Sequence, residues 1–120
     1  MKAAFTTSGS DLNAPLDDRF GRAPKFLMVD LETESFEIVD NKQNLNAAQG
    51  AGIQSAQILA RSGASCVVTG HCGPKAFRTL TAAGIKIFNS KAATVGEALA
   101  LLKSGQLAEA KTADVESHWV

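Results

Sequence analysis

The apolar pattern of this chain changes period near residue 50, and that change limits the folds open to it. Before it, short runs alternate or cluster as strands do. After it, Ile53, Ala56, Leu59 and Ala60 recur at helical spacing until Ser62-Gly63 stops them. Cys66-Val67-Val68-Thr69 then forms a short run without polar alternation, as expected of a strand covered on both faces. Pro74 suits the first turn of a following helix, where its missing N–H costs nothing, and Phe77, Leu80 and Ala83 or Gly84 line that helix. Ile85-Lys86-Ile87-Phe88 reads as another strand. Thr94-Val95-Gly96-Glu97 has the spacing of a capping box and opens a last helix, with Val95, Ala98, Leu99 and Leu102 inward and Gly105 just past its end.

The first half supplies the antiparallel part. Lys2 to Thr7 is a strand, ended by the turn-rich Ser8-Gly9-Ser10-Asp11. Residues 8–24 make a long polar loop whose charged knot, Asp17-Asp18-Arg19-Phe20-Gly21-Arg22, argues for order in a length that is usually functional or disordered. Residues 25–31 and 36–40 are two strands joined by Glu32-Thr33-Glu34-Ser35, a hairpin with Phe36, Ile38 and Asp40 on one face. A second long loop runs from Asn41 to Gly52. The expected order is therefore βββαβαβα, an α/β protein with a mixed five-stranded sheet flanked by helices and right-handed crossovers. Residues 1–107 form one domain and residues 108–120 a polar tail.

Composition narrows the function. Twelve basic and twelve acidic residues cancel, which argues against a nucleic-acid binder. The charge is uneven along the chain, however. Residues 1–60 carry five basic and eight acidic side chains, and residues 61–120 carry seven and four. No apolar run approaches the roughly 20 residues of a membrane span, and no signal-peptide core opens the chain, so the cytoplasm is expected. There, Cys66 and Cys72 are expected as thiols.

Three segments carry the chemistry. Gly70-His71-Cys72-Gly73-Pro74-Lys75 joins a buried strand to a helix, the position where open α/β sheets bind ligands. The helix start there favours anions, and Lys75 and Arg78 add charge. Cys72 and His71 are possible metal ligands, and a cysteine at a helix start has a lowered pKa. A lone Cys-His pair is nevertheless no tetrahedral site, and Cys66 reads as a small core residue. Gly50-Ala51-Gly52, with Ile53, is either a ligand-approach turn or a plain helix start. Arg19 and Arg22 either clamp an anion or pair with Asp17 and Asp18 to shape the loop. No catalytic set emerges, and His118 beside Trp119 has no assignable partner.

Taken together, Asp18-Arg19-Phe20-Gly21-Arg22-Ala23, Gly50-Ala51-Gly52 and Gly73-Pro74-Lys75-Ala76-Phe77 with Ala83-Gly84-Ile85 resemble the nitrogenase iron–molybdenum cofactor biosynthesis family. That family includes NifX and NifY, the NifB C-terminal domain and the stand-alone orange proteins. The resemblance, over residues 1–107, implies a ribonuclease-H-like fold and a non-catalytic carrier. Its cargo would be an anionic metal–sulfur cluster, either an iron–molybdenum cofactor precursor or a molybdenum–copper sulfide cluster, exchanged with donor or acceptor proteins. Ribonuclease activity is not implied, because the acidic set of that class is not visible. Some relatives carry histidine before the first helix, whereas Asn46-Ala47-Ala48-Gln49 has none. A shallow site is therefore expected from residues 50–53, residues 71–75 (His71, Cys72, Gly73 and Lys75 among them) and the arginine loop. The alternatives are an anion- or nucleotide-binding regulatory module, or a protein–protein adaptor.

Overall fold

The computed structural model describes residues 1–41 and 50–111. Within them the expected order appears as β1 (Lys2–Thr7), β2 (Lys25–Asp30), β3 (Phe36–Asp40), α1 (Ala51–Ser62), β4 (Cys66–Thr69), α2 (Pro74–Ala82), β5 (Lys86–Asn89) and α3 (Val95–Lys103). One mixed sheet runs β3-β2-β1-β4-β5. β1 pairs antiparallel with β2, and β2 with β3, while β1 pairs parallel with β4 and β4 with β5. The α/β, ribonuclease-H-like expectation holds.

Alternation along the strands divides the core in two. Ala4, Phe26, Met28, Val67 and Ile87 point to the face covered by α1 and α2, where they meet Ala56, Leu59, Ala76 and Leu80. Ala3, Phe5, Leu27, Val29, Cys66 and Val68 point to the other face, where Val95, Ala98 and Leu99 of α3 cover them. Burial pushes the Cys66 thiol up to about 11 against the opposing pull of Lys86, as befits a core residue.

Small differences from the sequence reading have local causes. β5 begins at Lys86, because the Ile85 N–H donates to Leu80 O at 2.9 Å and closes the end of α2 through Gly84 at φ 77°. β2 ends at Asp30, whose carboxylate accepts the N–H groups of Glu32 and Thr33 and starts the turn. Those N–H groups hold the Asp30 carboxyl below the usual carboxylate range. On α2, Ala76 and Leu80 are the buried residues and Phe77 is half-buried. Residues 108–111, expected to open the tail, run beside β5: Glu109 bridges Phe88, and the Ala110 N–H donates to Ile87 O at 2.7 Å. The rest of the expected tail, with His118, and most of the loop before α1, residues 42–49, lie outside the described residues.

Candidate functional site

Because β1 and β4 are parallel neighbours, their C-terminal ends emerge together at one edge of the sheet. Both apolar runs finish in threonine, and those threonines hold the long loop. The Thr6 hydroxyl donates to Asp17 O at 2.9 Å and lies 3.0 Å from the Thr69 hydroxyl. The Thr7 hydroxyl donates to Pro15 O at 2.7 Å, and the Asp17 N–H donates to Thr6 O at 2.8 Å. Residues 8–24 are thus tied down, as their charged knot suggested, and they contain a 3-10 turn over Phe20–Arg22.

That turn is the hub of the site. Phe20 is buried, its ring centroid 5.6 Å from that of Phe26, and this anchors the arginines on either side of it. The Phe20 N–H donates to His71 O at 3.0 Å, and Arg19 forms a parallel bridge with His71. Backbone lies directly on backbone at two glycines. A Cβ on Gly70 would stand 2.6 Å from Asp18 O, and one on Gly21 would stand 2.9 Å from the Gly52 nitrogen. Real Cβ atoms do not tolerate such distances, so glycine is what lets the arginine loop touch both the β4–α2 turn and the first turn of α1. The three segments singled out in the sequence therefore meet at one edge.

Two helices begin there, and both begin on glycine. Gly50 caps α1 and Gly73 caps α2, so neither cap has a side chain to offer the first-turn N–H groups, and neither first turn carries an acid. The N–H groups of Gln54 and Phe77 close on Gly50 O and Gly73 O. Among the described residues, no acceptor meets the N–H groups of Gly52, Ile53, Lys75 or Ala76. At Gly50 a Cβ would meet nothing within 4 Å, so the fold itself does not require a glycine there.

Charge surrounds these starts. Arg19, Arg22 and Lys75 are exposed and His71 is half-buried. Ser8, Asp17, Asp18, Arg19, Arg22 and Pro24 line a cleft of about 340 Å³. Two acidic and two basic residues thus share its lining. Partial burial, and then the neighbouring Asp18 carboxylate, push the Asp17 carboxyl above its ordinary value.

Cys72 sits differently from the other candidates. It is 2% exposed in the core beside Phe20 and Ala76, and its thiol donates to Gly73 O at 3.7 Å. Its sulfur faces the interior, so presenting it to a metal requires the loop to move. Among the described residues no three His, Cys, Asp or Glu side chains gather as a metal site, and no helix is long and apolar enough to cross a membrane.

Several positioning residues escaped the sequence reading. Thr6 and Thr69 are one pair. Asn89 is another, its side-chain N–H donating to Gly70 O at 3.1 Å. Asn41 is a third: its side-chain N–H donates to Ala23 O at 2.7 Å, its backbone N–H donates to Pro24 O, and its buried Oδ1 has no partner among the described residues. Thr6, Thr69 and Asn89 are polar residues at the ends of largely apolar strands, and Asn41 directly follows β3.

An α/β domain with two glycine-started helices and an arginine loop at one sheet edge is the class defined by this geometry. Residues 1–105 match the family described as dinitrogenase iron-molybdenum cofactor, and the chain belongs to it. It is similar in structure to the apo form of the orange protein from Desulfovibrio gigas. That match has 42% identity and a TM-score of 0.89, covering 95% of this chain and 96% of that one. A putative NifB protein from Thermotoga aligns at 32% identity with a TM-score of 0.77, covering 95% and 98%. An uncharacterized protein from Methanocaldococcus jannaschii is 30% identical over 98 residues, covering 79% of this chain and 82% of its own.

Proposed function

We propose that this protein is a non-catalytic carrier that binds an anionic metal–sulfur cluster at the edge formed by the arginine loop and the starts of α1 and α2. The family and the similarity to the orange protein support a cluster-binding role. The observation that carries the reading is the pair of glycine-capped helix starts beside Arg19, Arg22 and Lys75, where the N–H groups of Gly52, Ile53, Lys75 and Ala76 meet no acceptor among the described residues. A thiometallate cluster is a bulky polarizable anion whose metals already hold sulfide. It needs positive potential, N–H donors and an apolar wall more than it needs protein ligands. The site residues are Arg19, Arg22, Gly50, Ala51, Gly52, Ile53, His71, Gly73 and Lys75. Cys72 joins them only if its loop opens. The cargo is a molybdenum–copper sulfide cluster or an iron–molybdenum cofactor precursor, received from and passed to partner proteins.

Anaerobic mixing with tetrathiomolybdate and copper, followed by desalting, tests this. The expected result is a coloured complex retaining molybdenum and sulfide, with retention lost in Arg22→Glu. No retained metal with any molybdenum or iron sulfide would sink the reading. A nucleotide-binding module would instead show thermal stabilisation by nucleotides and none by thiomolybdate.

A further inference from the structure

The edge of the sheet at β3 is built unlike the rest of the surface. β3 is the terminal strand, with β2 on one side and no strand beyond it among the described residues. Its exposed Phe36 and Ile38, 43% and 41% accessible, are two of the three large apolar residues left in solvent among the described residues. Their cross-strand partners, Val29 and Leu27, are fully buried under α3. β3 thus continues the α3-side face of the sheet beyond the reach of α3.

Among the described residues, nothing pairs with the outer side of this strand. The Asn41 N–H donates to Pro24 O, and the register sets Val39 opposite Phe26 and Glu37 opposite Met28. Antiparallel pairs alternate in bonding, so residues 37, 39 and 41 bond toward β2. The N–H and C=O groups of Phe36, Ile38 and Asp40 therefore point outward. Natural edges are commonly blunted with lysine, proline or a bulge, and Phe36-Glu37-Ile38-Val39-Asp40 carries neither lysine nor proline.

Charge decides what such an edge accepts. Glu32, Glu34, Glu37 and Asp40 frame the strand. Glu34 is engaged by Lys103, and Glu37 lies 3.8 Å from Lys2. Glu32 and Asp40 are exposed and form no ion pair among the described residues, although Lys25 stands opposite Asp40 in the register. A second copy of β3 would set this acidic frame against itself, and like charges across a strand pair are destabilising. We propose that β3 docks an extended segment of a partner protein in which apolar and basic residues alternate, added as a sixth strand. The apolar residues would lie over Phe36 and Ile38 and the basic residues on the opposite face beside Glu37, with Glu32 and Asp40 adding negative potential at the two ends of the strand. Asn41 ties the end of this strand to Ala23 and Pro24 of the arginine loop, so the docked partner lies beside the edge where the arginine loop meets the helix starts. The inference rests on the strand itself and not on the identity of any cargo.

A soluble peptide of alternating lysine and valine, and the same peptide with glutamate for lysine, are the probes. The full chain, labelled with nitrogen-15, is followed by amide shifts and hydrogen exchange. The lysine peptide is expected to slow exchange at Phe36, Ile38 and Asp40, to weaken as salt rises, and to lose about tenfold in affinity in a Glu32→Lys, Asp40→Lys double variant. Ile38→Lys, which keeps the backbone, is expected to abolish binding, with unchanged shifts in α1 and α2 showing that the fold is intact. Equal binding of both peptides, protection away from β3, no binding of the lysine peptide, or dimerisation of the chain alone would each overturn the proposal.

Discussion

The helices of this protein begin in two ways. At α3 every first-turn donor is met from within: the Val95 N–H donates to Ala14 O at 2.9 Å, the Gly96 N–H to Leu12 O at 2.7 Å and the Glu97 N–H to Thr94 Oγ1 at 3.2 Å. Glu97 reaches back to the Ala93 N–H at 3.0 Å, one residue before the usual partner of a capping box. At α1 and α2 the cap is glycine and the donors of Gly52, Ile53, Lys75 and Ala76 meet no acceptor among the described residues. One chain seals one helix and, among the described residues, leaves first-turn donors of two others unmet beside Arg19, Arg22 and Lys75. Sealing stabilises the fold, whereas an open start reserves its partial positive charge for an anion.

Substitutions separate these roles, beginning with the backbone contacts that assemble the open edge. Gly70→Ala forces a Cβ to 2.6 Å from Asp18 O and is expected to cost about 1–3 kcal/mol in urea unfolding, the scale of overpacking, and to release the cargo. Gly21→Ala, against the Gly52 nitrogen, acts in the same direction. Unchanged stability in both would mean that the loop does not rest on the helix as described.

Thr94→Ala is expected to cost about 1 kcal/mol through loss of the α3 cap while leaving cargo retention intact. Gly50→Asp inverts that pattern. Its Cβ has room and its φ of −71° suits any residue, so stability should change by less than about 0.5 kcal/mol. The new carboxylate, however, occupies the start of α1 and should abolish retention. If Gly50→Asp still holds cargo, the contrast between sealed and open starts fails. Lys103→Ala, which removes a partly exposed pair with Glu34, is expected to cost less than about 0.5 kcal/mol and to leave retention untouched.

A pH series adds a directional test at Asp17. Its carboxyl is raised in the fold, so between the unfolded and folded pKa values the native chain binds more protons than the unfolded one. Stability from this group should therefore fall as pH rises through that window, and the penalty persists above it. Asp17→Asn should remove that slope in denaturation midpoints measured across the acidic range.

Much of this was legible in the residues. Period and turn chemistry are local, so Pro74, Gly63, Gly105 and the Thr94 box marked their helix ends correctly. The three site segments were legible too, because glycines and arginines stand out among apolar strands. Their contact was not. Nothing at Gly21 announces that it lies on Gly52, since such an approach depends on where β1 and β4 deliver the loop. The burial of Cys72 was hidden for the same reason: a cysteine in a turn reads as available until the core shared with Phe20 and Ala76 encloses it. Thr6, Thr69, Asn41 and Asn89 escaped notice because each acts on a partner far along the chain.

The central claim is that the cargo occupies the open helix starts. An anaerobic titration of the nitrogen-15-labelled chain with thiomolybdate and copper reads this residue by residue. Amide shifts concentrated at residues 19–22, 50–53 and 71–76, with Val95, Gly96 and Glu97 unmoved, are the expected result. Shifts centred on the sealed start of α3 or on the β2–β3 hairpin, or none at all, would contradict it.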